Sequence, residues 1–187
     1  MLANEKFEIR GVNHLALVCK DMQRTVDFYS GLLGMPLTKT IDLPNGMGQH
    51  FFFDIGNGDS LAFFWFPDAP ESQPGITPPA AMVGGGSIAS AHASMNHVAF
   101  DVPEDKIEEY QQKLEQAGIE VTKVVNHDDS PMQSSPTITD TTFVRSVYFR
   151  DPDGIMLADT DGQILYSNSA FHRLLRPSYS AGGPEPV

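Results

Sequence analysis

Two histidines stand in the same local context, Asn13-His14-Leu15-Ala16 and Asn96-His97-Val98-Ala99. Imidazole is the commonest metal-coordinating side chain, so a repeat that sets one imidazole at the same point of two related units suggests a shared divalent metal centre. Both copies open an alternating apolar run, and both precede an amphipathic helical stretch. Gly34 closes the first stretch and Gly118 the second.

Other residues capable of chemistry fall near this frame. Counting back from the turn glycines Gly58 and Gly154, His50 corresponds to Ser146 and Phe52 to Tyr148. These four side chains therefore share one cavity-facing parity if Tyr148 faces a cavity. His92 lies in a loop just before the second histidine strand. His127, within Asn126-His127-Asp128-Asp129, reads as an exposed loop histidine. Phe51, Phe52, Phe53, Phe63, Phe64, Trp65 and Phe66 crowd two strands, and alternation assigns half of them to the core and half to the cavity. Such a lining suits an aromatic or apolar small-molecule ligand.

The elements that must position these residues are legible in outline. Residues 12–18 alternate as a strand, Asp21 N-caps a helix that ends at Gly34, and Pro36 prevents continuation. Strands follow at 38–43, 49–55 and 60–66, with Asn45-Gly46 and Gly56-Asn57-Gly58 supplying the turns. Residues 67–92, with five prolines and the run Gly84-Gly85-Gly86, show no periodicity and read either as a lid or as a solvated linker. The second half repeats the order: a strand at 97–102, a helix from Pro103 to Gly118, strands at 119–125 and 143–150, and a turn at 151–154 leading into Ile155-Met156-Leu157-Ala158. The expectation is an α+β fold of two βαβββ modules, 8–66 and 93–160, forming a half-open mixed sheet around a shared cavity. The connection is 67–92. The extension 161–187 permits a short helix around Phe171, Leu174 and Leu175 before a disordered tail.

Composition narrows the function. The chain has 187 residues, 41% of them hydrophobic, and a formal net charge of −12. No basic patch stands out, so nucleic-acid binding is disfavoured. No apolar run reaches the length of a bilayer span, and no secretory leader opens the sequence. Cys19 is the single cysteine, which excludes an internal disulfide framework and fits a cytoplasmic protein.

The segments Asn13-His14-Leu15-Ala16-Leu17, Phe28-Tyr29-Ser30-Gly31-Leu32-Leu33-Gly34-Met35, Asn96-His97-Val98-Ala99-Phe100 and Ser146-Val147-Tyr148-Phe149-Arg150-Asp151-Pro152-Asp153-Gly154-Ile155-Met156-Leu157 resemble the vicinal oxygen chelate superfamily. That superfamily holds glyoxalase I, bleomycin- and fosfomycin-resistance proteins and extradiol ring-cleaving dioxygenases. The resemblance implies a metal bound by His14 and His97, with Fe(II) or Mn(II) expected, and an assembly that can be a homodimer. It also implies a carboxylate four residues after the final turn glycine, where this chain has Ala158; the corresponding position in the first module is Ala62. Three repairs are open. Asp159 could reach the metal through a bulge, His50 could act as third ligand, or metal could bind weakly or not at all. The resemblance further assigns Tyr148 a substrate hydrogen bond, and an acid/base histidine to the region of His92.

The leading expectation is a metal-dependent, ring-cleaving-dioxygenase-like oxidoreductase acting on an aromatic or vicinal-oxygen substrate. A metal-free ligand-binding protein of the sequestration type and a glyoxalase-type lyase or isomerase are the alternatives. The lack of an arginine or lysine cluster argues against glutathione or phosphonate substrates.

Overall fold

The computed structural model describes residues 6–162. The helix and tail expected in the C-terminal extension lie outside these residues.

The first half is built on β1 (His14–Cys19), β2 (Leu37–Asp42), β3 (Gln49–Gly56) and β4 (Asp59–Trp65). β1 pairs parallel to β4, β4 and β3 are antiparallel, and β2 closes the other edge, giving the order β1-β4-β3-β2. Asn57 and Gly58 take φ of +55° and +83°, the left-handed pair that a two-residue hairpin needs to match strand twist. The second half repeats this with β5 (Val98–Asp101), β6 (Val125–His127), β7 (Ser134–Ser135), β8 (Val144–Arg150) and β9 (Met156–Gly162). Their order is β5-β9-β8-β6-β7, with β5 parallel to β9. The expected α+β pair of modules is present, its hydrogen bonding divided between two sheets.

Helix α1 (Met22–Val26) starts where Oδ1 of Asp21 accepts the amide of Arg24 at 3.1 Å, and continues as a π-helical turn over Asp27–Leu32. Helix α2 (Ile107–Gln116) buries Ile107 and Leu114. Strand alternation sends Leu15, Leu17, Phe51, Phe53, Leu61, Phe63 and Trp65 to one side of the first sheet, and Phe149 and Leu157 to one side of the second. These side chains meet Met22, Phe28, Tyr29 and Leu114 in one core common to both halves. Tyr29 is fully buried and donates its hydroxyl to Oδ2 of Asp151 across the junction at 3.1 Å.

Three elements depart from expectation. The strand foreseen at 119–125 shrinks to a single bridge, Val121 to Phe149, and regular pairing resumes only at Val125. The cause is Thr122, whose Oγ1 accepts the amide of Tyr148 at 2.9 Å and so takes the place of a ladder carbonyl. His127 is a strand residue, paired with Val144. β9 runs through Ala158 to Gly162 instead of ending there, and β7 adds a short outer strand. The connection 67–92 has neither helix nor strand. It is docked on the second module, where Nη2 of Arg150 donates to the Pro79 carbonyl at 2.8 Å and Met82 and Val83 pack on Tyr148, Met156 and Ala158. Among the described residues no helix is long and apolar enough to cross a membrane.

Candidate active site

Each repeated Asn-His pair is a side-chain hydrogen bond. Nδ1 of His14 lies 2.8 Å from Oδ1 of Asn13, and Nδ1 of His97 lies 2.9 Å from Oδ1 of Asn96. Nδ2 of Asn96 also donates to the Ile88 carbonyl at 2.8 Å, which turns the amide oxygen toward the imidazole. An amide oxygen only accepts, so Nδ1 carries the hydrogen and Nε2 keeps its lone pair. An oriented imidazole with a bare Nε2 is the state a metal ligand requires.

Parity places His14 with Ala16, Val18, Ala62, Phe64, His50 and Phe52 on the side of the first sheet opposite the core. The His14 ring meets Phe52 edge-on at 6.0 Å. His50 stacks on Phe64 at 3.7 Å between centroids, and Phe64 stacks on Phe66 at 5.4 Å. Nε2 of His50 is buried without a hydrogen-bond partner. Burial first, and the proximity of His14 second, push its pKa down. His14, His50 and Phe52 thus share one face of the first sheet, while Ser146 and Tyr148, which the counting from the turn glycines grouped with His50, lie on the second sheet.

The second sheet offers a different cluster. Tyr148 pairs with Ala158, and Ala158 with Ala99, so these three share the face away from the core. The His97 ring meets Tyr148 edge-on at 5.6 Å. Nε2 of His127 lies 3.1 Å from the Tyr148 hydroxyl oxygen. Burial lowers the pKa of His97 and is the main cause of the lowered pKa of His127; it also raises that of Tyr148. The histidine within hydrogen-bond distance of Tyr148 is therefore His127, expected from the sequence to be an exposed loop residue. Its signal was parity: Val125 pairs with Ser146, which puts His127 on the Tyr148 face once the strand is known to start there. His92 is exposed in a turn of the connection.

The repair through Asp159 does not survive the register. β8 and β9 pair without a shift from Gly162 to Met156, so no bulge turns Asp159 toward the Ala158 side. Asp159 lies opposite Val147 on the core side, where burial raises its carboxyl to about 6. Ala158, where the resemblance implies a carboxylate, and Ala62, its counterpart in the first module, are both fully buried. Among the described residues no group of three or more His, Cys, Asp or Glu side chains could hold a metal ion. The two bare imidazoles fit a divalent ion as donors; a third protein ligand is not assembled with them. His14 keeps company with His50 and His97 with Tyr148, on faces that both turn away from the common core.

The chain is similar to several known proteins. It is 25% identical to a protein named as the glutathione transferase FosA of Serratia marcescens, over 78% of this chain and 77% of the relative. It is 26% identical to a putative ring-cleaving dioxygenase, MhqE of Bacillus subtilis, over 58% of this chain and 32% of that protein. The fosfomycin resistance protein FosX of Listeria monocytogenes, solved with Mn(II) and sulfate, superposes with a TM-score of 0.53 at 17% identity, covering 83% of this chain and 95% of that one. The sequence profile of the Glyoxalase/Bleomycin resistance protein/Dioxygenase superfamily matches residues 11–158, and the chain belongs to that superfamily.

Proposed function

We propose that this chain is a metal-dependent, dioxygenase-like enzyme for an aromatic substrate bearing oxygen, with His14 and His97 as protein ligands of an Fe(II) or Mn(II) ion. The observation that carries the reading is the matched pair of Asn-oriented imidazoles, each with a bare Nε2. When bound, such an ion supplies Lewis-acid activation of substrate oxygens. Tyr148, His127 and the phenyl rings of Phe52 and Phe64 would hold and orient the ring of the substrate.

The two histidine faces turn away from one shared core, and His14, Ala16, Val18, His97, Ala99 and Asp101 are all exposed in the single chain. A homodimer that lays the first face of one copy against the second face of the other is the assembly we propose. Mixing His14→Ala with His97→Ala chains tests both statements at once. Each variant alone should lose its metal, whereas random re-pairing of a symmetric dimer should restore about a quarter of the parent's sites. Metal retained by either variant sinks the ligand assignment, and no recovery on mixing sinks the shared site. Oxygen uptake over a panel of catechols then tests the reaction.

The second reading is metal-free sequestration of an aromatic compound. Ala158 favours it, since a buried methyl group stands where the resemblance implies a carboxylate. Tight aromatic binding by metal-free protein, with no oxygen uptake, would decide for it.

A further inference from the structure

The connection is tied to the second module at two points, and the segment between them is held by packing alone. At the first point Pro78 and Pro79 are buried, and Arg150 donates from Nη2 to the Pro79 carbonyl at 2.8 Å and from Nη1 to the Gly154 carbonyl at 2.7 Å. At the second, Nδ2 of Asn96 donates to the Ile88 carbonyl at 2.8 Å. Among the described residues, the hydrogen bonds of residues 81–87 stay local. The Ala81 amide donates to the Ser87 carbonyl at 3.0 Å, the Gly85 amide to the Met82 carbonyl at 2.9 Å, and the Ala89 amide to Oγ of Ser87 at 3.3 Å. The segment is a small loop closed on itself.

Met82 and Val83 are its grip on the molecule. Both are half-buried against Tyr148, Met156 and Ala158, while residues 84–87 are exposed. Gly84 and Gly86 take φ of +78° and +139°, in a glycine run whose backbone has other conformations open to it. Apolar contact is non-directional, so lifting the segment breaks no hydrogen bond to the sheet beneath. The two halves differ here. Phe52, the counterpart of Tyr148 in the first module, is half-buried, whereas Tyr148 is buried beneath this cover.

We propose that residues 81–87 are a flap that closes the Tyr148 face with Met82 and Val83, and that swings clear on the Pro79 and Ile88 anchors when an aromatic ring takes their place. This rests on the reading of that face as a ligand site and adds how the ligand enters. The ring replaces Met82 and Val83 on Ala158, Met156 and Val125, beside the Tyr148 ring and the His97 ring that meets it edge-on at 5.6 Å. The second anchor separates this movement from the metal ligand, because the Asn96 amide that orients His97 is itself held by Ile88, outside the flap. The closed flap competes with the ligand, so apparent affinity falls in proportion to the fraction of molecules in which it is open.

The test uses the whole chain with isotope-labelled methionine methyl groups and 2-naphthol as the probe. In the free protein the Met82 methyl should show nuclear Overhauser contacts to the side chains of Tyr148, Met156 or Ala158. At saturating naphthol these should vanish and contacts from naphthol to the same side chains should appear. Replacing Met82→Ser and Val83→Ser together leaves the flap its internal hydrogen bonds and removes its grip. That variant should bind naphthol about tenfold more tightly than the parent, as expected if the flap is open in about a tenth of parent molecules. Should it fail to fold, Met82→Ala, again expected to bind more tightly, decides with the parent titration. Met82 contacts that persist at saturation, equal or weaker binding by the variant, or no binding by either protein overturns the proposal. Naphthol bound under a displaced flap, in protein that holds no Mn(II) and takes up no oxygen, leaves it standing while the enzyme reading falls; metal binding and oxygen uptake with the Met82 contacts intact do the reverse.

Discussion

Ala158 decides more about this protein than any other single residue. Its methyl group is fully buried, paired with Tyr148 and Ala99 and covered by Met82 and Val83. A glutamate there would bury a carboxylate with no partner, at a cost of about 3 kcal/mol or more. In chelator, Ala158→Glu should therefore melt well below the parent. Binding to the folded state alone stabilises it, so Mn(II) should recover much of that loss if His97 lies where the new carboxylate can share an ion. Thermal melts with and without Mn(II) measure this, together with an affinity at least about tenfold tighter than the parent's, roughly 1.4 kcal/mol. Equal Mn(II) shifts in the two proteins would detach His97 from any metal centre. The residues of this site were unequally legible. Which residues share a sheet face was readable, His14 with His50 and Phe52 on the first sheet and His97 beside Tyr148 on the second, because strand alternation is a local rule. His127 was hidden, because its placement depended on where β6 begins, and just before that start the side chain of Thr122, not its carbonyl, accepts the amide of Tyr148 on the neighbouring strand.

At the scale of elements, the positions that a turn or cap chemistry dictates were the readable ones. Asp21 caps α1, Asn57-Gly58 closes the β3–β4 hairpin, and Gly34 and Gly118 end the helical stretches in left-handed conformations. What could not be read were the pairings that side chains interrupt and the docking of residues 67–92, whose contacts are to residues far along the chain. Gly48 shows how a turn position serves the site. It takes φ of +139° just before β3, and a Cβ there would stand 1.9 Å from the Trp65 carbonyl oxygen. Gly48→Ala should destabilise the protein by more than about 2 kcal/mol, through both the left-handed backbone and the displaced end of β4. Urea denaturation followed by Trp65 fluorescence would show it, with His50 loosened from its stack on Phe64. A loss under about 0.5 kcal/mol would mean that β4 ends more freely than the geometry allows.

For the whole molecule, the question is whether two repeated halves fold as two units or one. The core answers it. Phe28, Tyr29, Phe53 and Phe63 from the first half pack in the same cluster as Leu114, Phe149 and Leu157 from the second, with the Phe28 and Phe149 rings 6.5 Å apart. Neither half can keep its apolar face covered alone, so unfolding should be a single cooperative transition whose calorimetric and van't Hoff enthalpies agree. Tyr29 makes a buried polar tie across the junction, beside the exposed one from the Lys20 amide to Asp153. It is fully buried, and its acceptor Asp151 is also buried, with burial raising that carboxyl to about 6. Oδ1 of Asp151 keeps the amides of Asp153 and Ile155 when the phenol is removed, but Oδ2 loses its donor. Leaving a buried acceptor unpaired costs about 1–3 kcal/mol, so Tyr29→Phe should lower the melting temperature by several degrees. Because the aromatic packing of the ring is untouched, the transition should stay single. Two resolved transitions in the scanning calorimetry of this variant would show that the shared apolar core is too weak to couple the halves, and that one hydrogen bond had been holding them together.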